Sequence, residues 1–125
     1  MKDFTPHQEA FELKDLGFDE ECLGYYNIDP YFKNPSFRVG TPFDHQWCLP
    51  APTYSQAFRF FREKYELSSW VYNSHMDKYF YTILQDGRIV KATESATTYE
   101  EAELACLKKL IEISKTKYNV SSKTQ

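Results

Sequence analysis

Tyr79-Phe80-Tyr81-Thr82-Ile83-Leu84-Gln85-Asp86-Gly87-Arg88-Ile89-Val90-Lys91-Ala92-Thr93 is the stretch that decides the fold. Two alternating runs rich in β-branched and aromatic residues meet at Asp-Gly, a pair suited to a type I′ turn, where both central residues need positive φ. The turn predicts a register: Gln85 pairs with Arg88, Leu84 with Ile89, Ile83 with Val90, Thr82 with Lys91 and Tyr81 with Ala92. Side chains alternate along a strand, so one face is expected to carry Tyr79, Tyr81, Ile83, Val90 and Ala92. The other carries Phe80, Thr82, Leu84, Ile89 and Lys91. A preceding strand is expected over Trp70 to Tyr72, joined to the hairpin by a turn through Asn73 to Asp77. His75 in that turn reads as solvated.

Outward from the hairpin, three phrases share a Thr followed three residues later by Gln or Glu: Thr5-Pro6-His7-Gln8, Thr53-Tyr54-Ser55-Gln56 and Thr98-Tyr99-Glu100-Glu101. In a capping box the Thr oxygen accepts from the third helical N–H while the Gln or Glu reaches back, so each phrase predicts a helix start. The first helix is expected over about Pro6 to Leu16, with Pro6 as its first residue. Gly17 then supplies the left-handed stop, and Phe18 packs back on Leu13. The second runs over about Tyr54 to Glu66. Its Tyr54, Ala57, Phe58, Phe61 and Tyr65 form one continuous face of core type, with Arg59, Arg62 and Glu63 opposite. The third runs over about Tyr99 to Ser114, with a wide apolar arc that includes Ala102, Cys106, Leu107 and Leu110. Glu100, Glu101 and Glu103 at its start, and Lys108 and Lys109 further on, suit the helix dipole.

Residues 21–49 are harder to read, because Pro30, Pro35, Pro42, Pro50, Gly24 and Gly40 interrupt every run. Cys22 to Asn27 and Phe37 to Val39 read as short strands, and Asp29-Pro30 and Asn34-Pro35 as turns. The seven aromatic residues of the segment argue against a linker. The expected architecture is α+β: an antiparallel sheet with two helices packed on one face, plus an N-terminal helix and a short strand/loop segment. Residues 1–117 form one expected domain and residues 118–125 a polar, frayed tail.

The chain has 125 residues, 42% of them hydrophobic, enough for a core without disulfides. Ten Tyr, ten Phe and two Trp make that core aromatic-rich. Cys22, Cys48 and Cys106 are an odd set at unrelated spacings, and no apolar leader or membrane segment is read, so a cytoplasmic chain without membrane contact is expected. Asn119-Val120-Ser121 matches a glycosylation sequon, which has no consequence in that compartment. Charge is uneven: residues 1–30 hold eight acids against two bases, a net of −6, and residues 31–125 hold ten acids against thirteen bases, a net of +3. The acidic part reads as a solvated helix face or, more sharply, as a docking surface for a basic partner.

No motif specifies catalysis, and no cofactor is implied. The four glycines never cluster into a phosphate loop. His45 with Cys48, and Cys22 from afar, is an incomplete zinc pattern. Cys48 or Cys22 with His45 and Asp44 is only a formal thiol-nucleophile combination. Cys106 reads as a small apolar filler in helix 3.

Two binding readings stand ahead of an enzyme of unidentified type. Phe80, Leu84 and Ile89 form a greasy second sheet face that needs a cover, either residues 21–49 or another chain, and so make a candidate surface for a protein partner or a homo-oligomer. The alternative is nucleic acid held by Arg59, Arg62, Lys64, Arg88 and Lys91 with Tyr and Trp between them. Residues 53–114 follow the helix, three strands, helix order of a double-stranded RNA-binding domain. That family grips phosphate with a basic cluster at the start of its last helix, whereas Thr97 to Glu103 here is acidic.

Two stretches also carry a resemblance: AFELKDLGFDEECLGY over residues 10–25, and APTYSQAFRFFREKY over residues 51–65 together with TYEEAE over residues 98–103. Together they resemble a group of short, uncharacterised proteins from anaerobic gut bacteria and their phages. The resemblance implies a bacterial cytoplasm, a link to mobile elements, and action by binding a host or viral protein.

Overall fold

The computed structural model describes residues 3–28, 36–40, 47–74, 78–92 and 96–123. It is α+β and forms two compact units, Met1–Gln56 and Ala57–Gln125. The expected turns at Asp29-Pro30 and Asn34-Pro35, together with Asp44, His45, His75 and Thr93, lie outside the described residues.

The first unit contains α1 (His7–Asp15), β1 (Gly24–Asn27), β2 (Ser36–Val39) and β3 (Cys48–Ala51). Its antiparallel sheet has the order β2-β1-β3, and α1 packs on β3. β3 is a strand the sequence hides, because Pro50 cannot donate to a ladder. It is tolerated here because β3 is an edge strand, with Pro50 opposite Tyr25 of β1. The end of α1 follows the glycine expectation: Gly17 has φ +103°, its N–H donates to Lys14 O at 3.0 Å, and the Phe18 N–H donates to Leu13 O at 3.0 Å. These two bonds complete a Schellman motif, and Leu13 and Phe18 are both buried.

The start of α1 departs from the expectation. Pro6 is the cap residue, not the first helical one, and no side chain caps the helix. Thr5 is buried and committed elsewhere: its N–H and its hydroxyl both donate to Pro52 O, at 2.8 and 3.0 Å. The helix starts one residue later than the capping pattern requires, which puts Pro6 at the N-cap, and Pro has no side-chain oxygen to accept from an amide.

α2 (Tyr54–Lys64) begins in the first unit and continues into the second. Its buried residues are Tyr54, Ala57, Phe60 and Phe61. Phe60 therefore holds a position in the core that the period assigned to Phe58, which is only half-buried. The helix stops two residues before the expected Glu66. That residue adopts φ +58°, the left-handed position normally given to glycine after a helix.

The second unit continues with β4 (Leu67–Ser74), β5 (Lys78–Gln85), β6 (Arg88–Ala92) and α3 (Tyr99–Lys123). The sheet order is β4-β5-β6, antiparallel throughout, with α3 packed on β4 and β5. Asp86 and Gly87 have φ +52° and +77°, as a type I′ turn requires. Gln85 pairs with Arg88 and Leu84 with Ile89 as expected, but the register then slips by one, so that Ile83 faces Lys91 and Thr82 faces Ala92. Val90 is the extra residue of a β-bulge, and the expected pairs Ile83–Val90, Thr82–Lys91 and Tyr81–Ala92 do not form. A bulge at an edge strand adds twist, and no feature of the turn foretells it.

α3 continues to Lys123, well past Ser114. No glycine or proline follows Ser114 to stop it, and the Thr116 hydroxyl bonds back to Glu112 O at 3.1 Å.

Candidate functional site

The site is one face of the β4-β5-β6 sheet. Three observations fix which face α3 covers. Ser69 of β4 lies close enough to the Cys106 thiol of α3 to act on its ionisation. Tyr81 of β5 lies within electrostatic reach of Cys106 and Glu112. Tyr79 and Tyr99 pack edge to face, with ring centroids 6.0 Å apart. Alternation then sets Ser69, Val71, Tyr79, Tyr81 and Ile83 toward the helix, and Tyr81 and Ile83 are buried there.

The opposite face carries Trp70 and Tyr72 of β4 and Phe80, Thr82 and Leu84 of β5. Across the ladder Trp70 pairs with Thr82, Tyr72 with Phe80, and Leu84 with Ile89 of β6. The Tyr72 and Phe80 rings are stacked, 5.7 Å apart and inclined by 21°. Trp70 remains 46% exposed, Tyr72 41% and Ile89 66%, while Phe80 and Leu84 are half-buried. Thr82 is buried among them, flanked by Phe80 and Leu84 along its strand.

Of the residues singled out from the sequence, Phe80, Leu84 and Ile89 thus fall on one surface, with Leu84 and Ile89 directly opposed. Trp70 and Tyr72 belong to the same surface and were absent from the sequence-derived set. The signal for them was parity: once Tyr72 is set opposite Phe80, Trp70 must share its face. The length of the β4–β5 connection that sets this pairing is not legible in Asn73 to Asp77.

The five cations divide between two elements. Arg59, Arg62 and Lys64 are exposed on α2, and the Lys64 ammonium lies 5.7 Å from the Phe60 ring centroid and 5.9 Å from that of Tyr65. Arg88 and Lys91 are on β6, paired with Gln85 and Ile83. The three strands together carry Lys78, Arg88 and Lys91 and no carboxylate, and β4 carries no charge at all.

The thiols offer little chemistry. Burial pushes Cys22 up to about 12, helped by the Glu20 carboxylate. Burial does the same to Cys106, also to about 12, against the opposing effect of Ser69. Both are therefore protonated, weak nucleophiles at neutral pH. Cys48 is half-buried in β3, while its supposed partners Asp44 and His45 lie outside the described residues. Among the described residues, no three or more His, Cys, Asp or Glu side chains are grouped so that they could hold a metal ion, and no helix is long and apolar enough to cross a membrane.

Comparison of the chain with protein-family models, with curated proteins and with solved structures gives no match in any of the three.

Proposed function

We propose that this chain is a protein-interaction module without catalytic activity, and that its contact surface is the open face formed by Trp70, Tyr72, Phe80, Leu84 and Ile89. One observation carries the reading: exposed Trp70, Tyr72 and Ile89 lie together with half-buried Phe80 and Leu84 on the side of the sheet that α3 leaves uncovered. Each Å² of such surface removed from water contributes about 25 cal/mol, so a partner covering it gains most where Trp70 and Ile89 are buried. Three free thiols suit a reducing cytoplasm, the location inferred with this function.

Ile89→Lys tests the reading best, since a residue this exposed can change without disturbing the fold, and Leu84→Lys is its harsher companion. The expected result is a folded chain, with its melting temperature within a few degrees of wild type, that no longer binds its partner protein. Unchanged binding of that partner in both variants would refute the assignment of this face.

A second reading has its own support. The exposed rings of Trp70 and Tyr72 can stack bases, and the three strands carry no carboxylate to repel phosphate. Nucleic-acid binding would show an affinity that falls steeply with salt and that drops further in Arg88→Glu, Arg59→Glu or Arg62→Glu.

A further inference from the structure

We infer that β4 is a docking edge for a second copy of this chain, paired antiparallel about a two-fold axis at Val71 so that two three-stranded sheets join into one of six strands. The inference rests on the interaction reading above and adds a second copy as a partner, met along the edge beside the open face.

The two edges of the sheet differ in kind. β6 has five residues, a bulge at Val90 and two cations, all devices that discourage strand addition. β4 has eight residues paired to β5 in an unbroken register, with no proline, no bulge and no charge. Among the described residues, its backbone makes no hydrogen bonds beyond those to β5. Outward-pointing N–H and C=O groups on a long, regular, uncharged strand form a template for another strand, and a strand without charge meets no repulsion from its own copy.

The sequence of β4 is also self-complementary about its centre. With Val71 opposite Val71 of the second copy, each Trp70 lies opposite a Tyr72 on the open face. Each such pair sits beside a Tyr72–Phe80 stack, so the aromatic rows of the two sheets become continuous. On the α3 side Ser69 meets Asn73, a polar pairing. The contact is isologous and closed, so it stops at two chains.

Sedimentation velocity from micromolar to near-millimolar concentration tests the inference on the full chain. The wild type is expected to move from one chain of 14.8 kDa toward two as concentration rises. Trp70→Lys with Tyr72→Lys sets four cations face to face, and Trp70→Glu with Tyr72→Glu sets four carboxylates. Each double variant is expected to weaken dimerisation at least tenfold, and an equimolar mixture of the two to restore it. In a Cys48→Ser background, where only the buried Cys22 and Cys106 remain, Val71→Cys is expected to form a disulfide-linked dimer on mild oxidation. This readout does not depend on the charged variants folding.

A wild type that stays monomeric throughout overturns the inference and leaves the open face available to a different protein. A dimer that is lost in Ile89→Lys but kept in both double variants places the contact on the face and not the edge, which also overturns it. So does a mixture that stays monomeric although both double variants are folded.

Discussion

Thr53 and Gln56 hold each other at the head of α2. The Gln56 N–H donates to Thr53 Oγ1 at 3.2 Å, and the Thr53 N–H donates to Gln56 Oε1 at 3.0 Å. This is a complete capping box, and it satisfies two amides that helix geometry otherwise leaves open. Gln56 also donates from Nε2 to Glu21 O at 3.1 Å, tying the cap to the chain ahead of β1.

Thr53→Ala should therefore cost about 1 kcal/mol of stability. Equilibrium urea unfolding is the measurement, with the midpoint falling and the slope unchanged. Thr98→Ala should cost about the same or less, for there the box is half built: the Glu101 N–H donates to Thr98 Oγ1 at 3.1 Å, while the Glu101 carboxylate accepts from Thr97. A midpoint equal to wild type in Thr53→Ala would mean that solvent replaces the cap without loss.

Gly24 is needed for space, and its backbone is not in the left-handed region. A Cβ built there would come 2.6 Å from Phe37 Cζ and 2.9 Å from Phe4 Cε1. Those rings belong to a cluster in which Phe4 and Phe37 lie 5.0 Å apart and Tyr26 and Phe37 5.2 Å apart. Gly24→Ala should force them to shift at a cost of roughly 1–3 kcal/mol, the usual scale for overpacking. Differential scanning calorimetry would read this as a lowered melting temperature, whereas an unchanged one would show that the rings move freely.

Glu66 holds the opposite situation, a left-handed backbone without glycine. Glu66→Gly should relieve that strain and raise stability by about 1 kcal/mol, less the entropy that glycine adds to the unfolded chain. A higher urea midpoint is the expected result, and a lower one would mean that the Glu66 side chain contributes more than its backbone costs.

These residues also show why the sequence was readable in some places and not in others. Local rules worked where the partners are neighbours in the chain: the Thr53 box, the Gly17 stop and the Asp86-Gly87 turn each close within a few residues. They failed where a distant atom competes. Thr5 matches the capping pattern as well as Thr53 does, but it is held against Pro52 O by its N–H and its hydroxyl, and Pro6 takes the N-cap place. β3 is assembled by pairing with β1 and not by its own propensity, and the Val90 bulge is a property of two strands together. At the candidate site the same division holds. Phe80, Leu84 and Ile89 follow from one hairpin, whereas Trp70 and Tyr72 join them only through the longer connection from β4.

Alkaline pH should weaken the fold, and the direction follows from buried groups. Cys22 and Cys106 are pushed from 9.0 up to about 12, and Tyr81 from 10.0 up to about 12, in each case mainly by burial. The unfolded chain gives up these protons near the ordinary values while the folded chain keeps them, so above pH 9 the unfolded state binds fewer protons and stability falls as pH rises. The contribution is complete below pH 9 and is lost progressively between 9 and 12, with a slope of at most about 1.4 kcal/mol per pH unit for each group. Urea midpoints measured from pH 7 to 11 should hold level and then decline. Replacing both thiols, Cys22→Ala with Cys106→Ala, should leave a shallower decline, since only Tyr81 of the three remains to titrate. An equally steep decline in that variant would place the alkaline transition on groups other than these thiols.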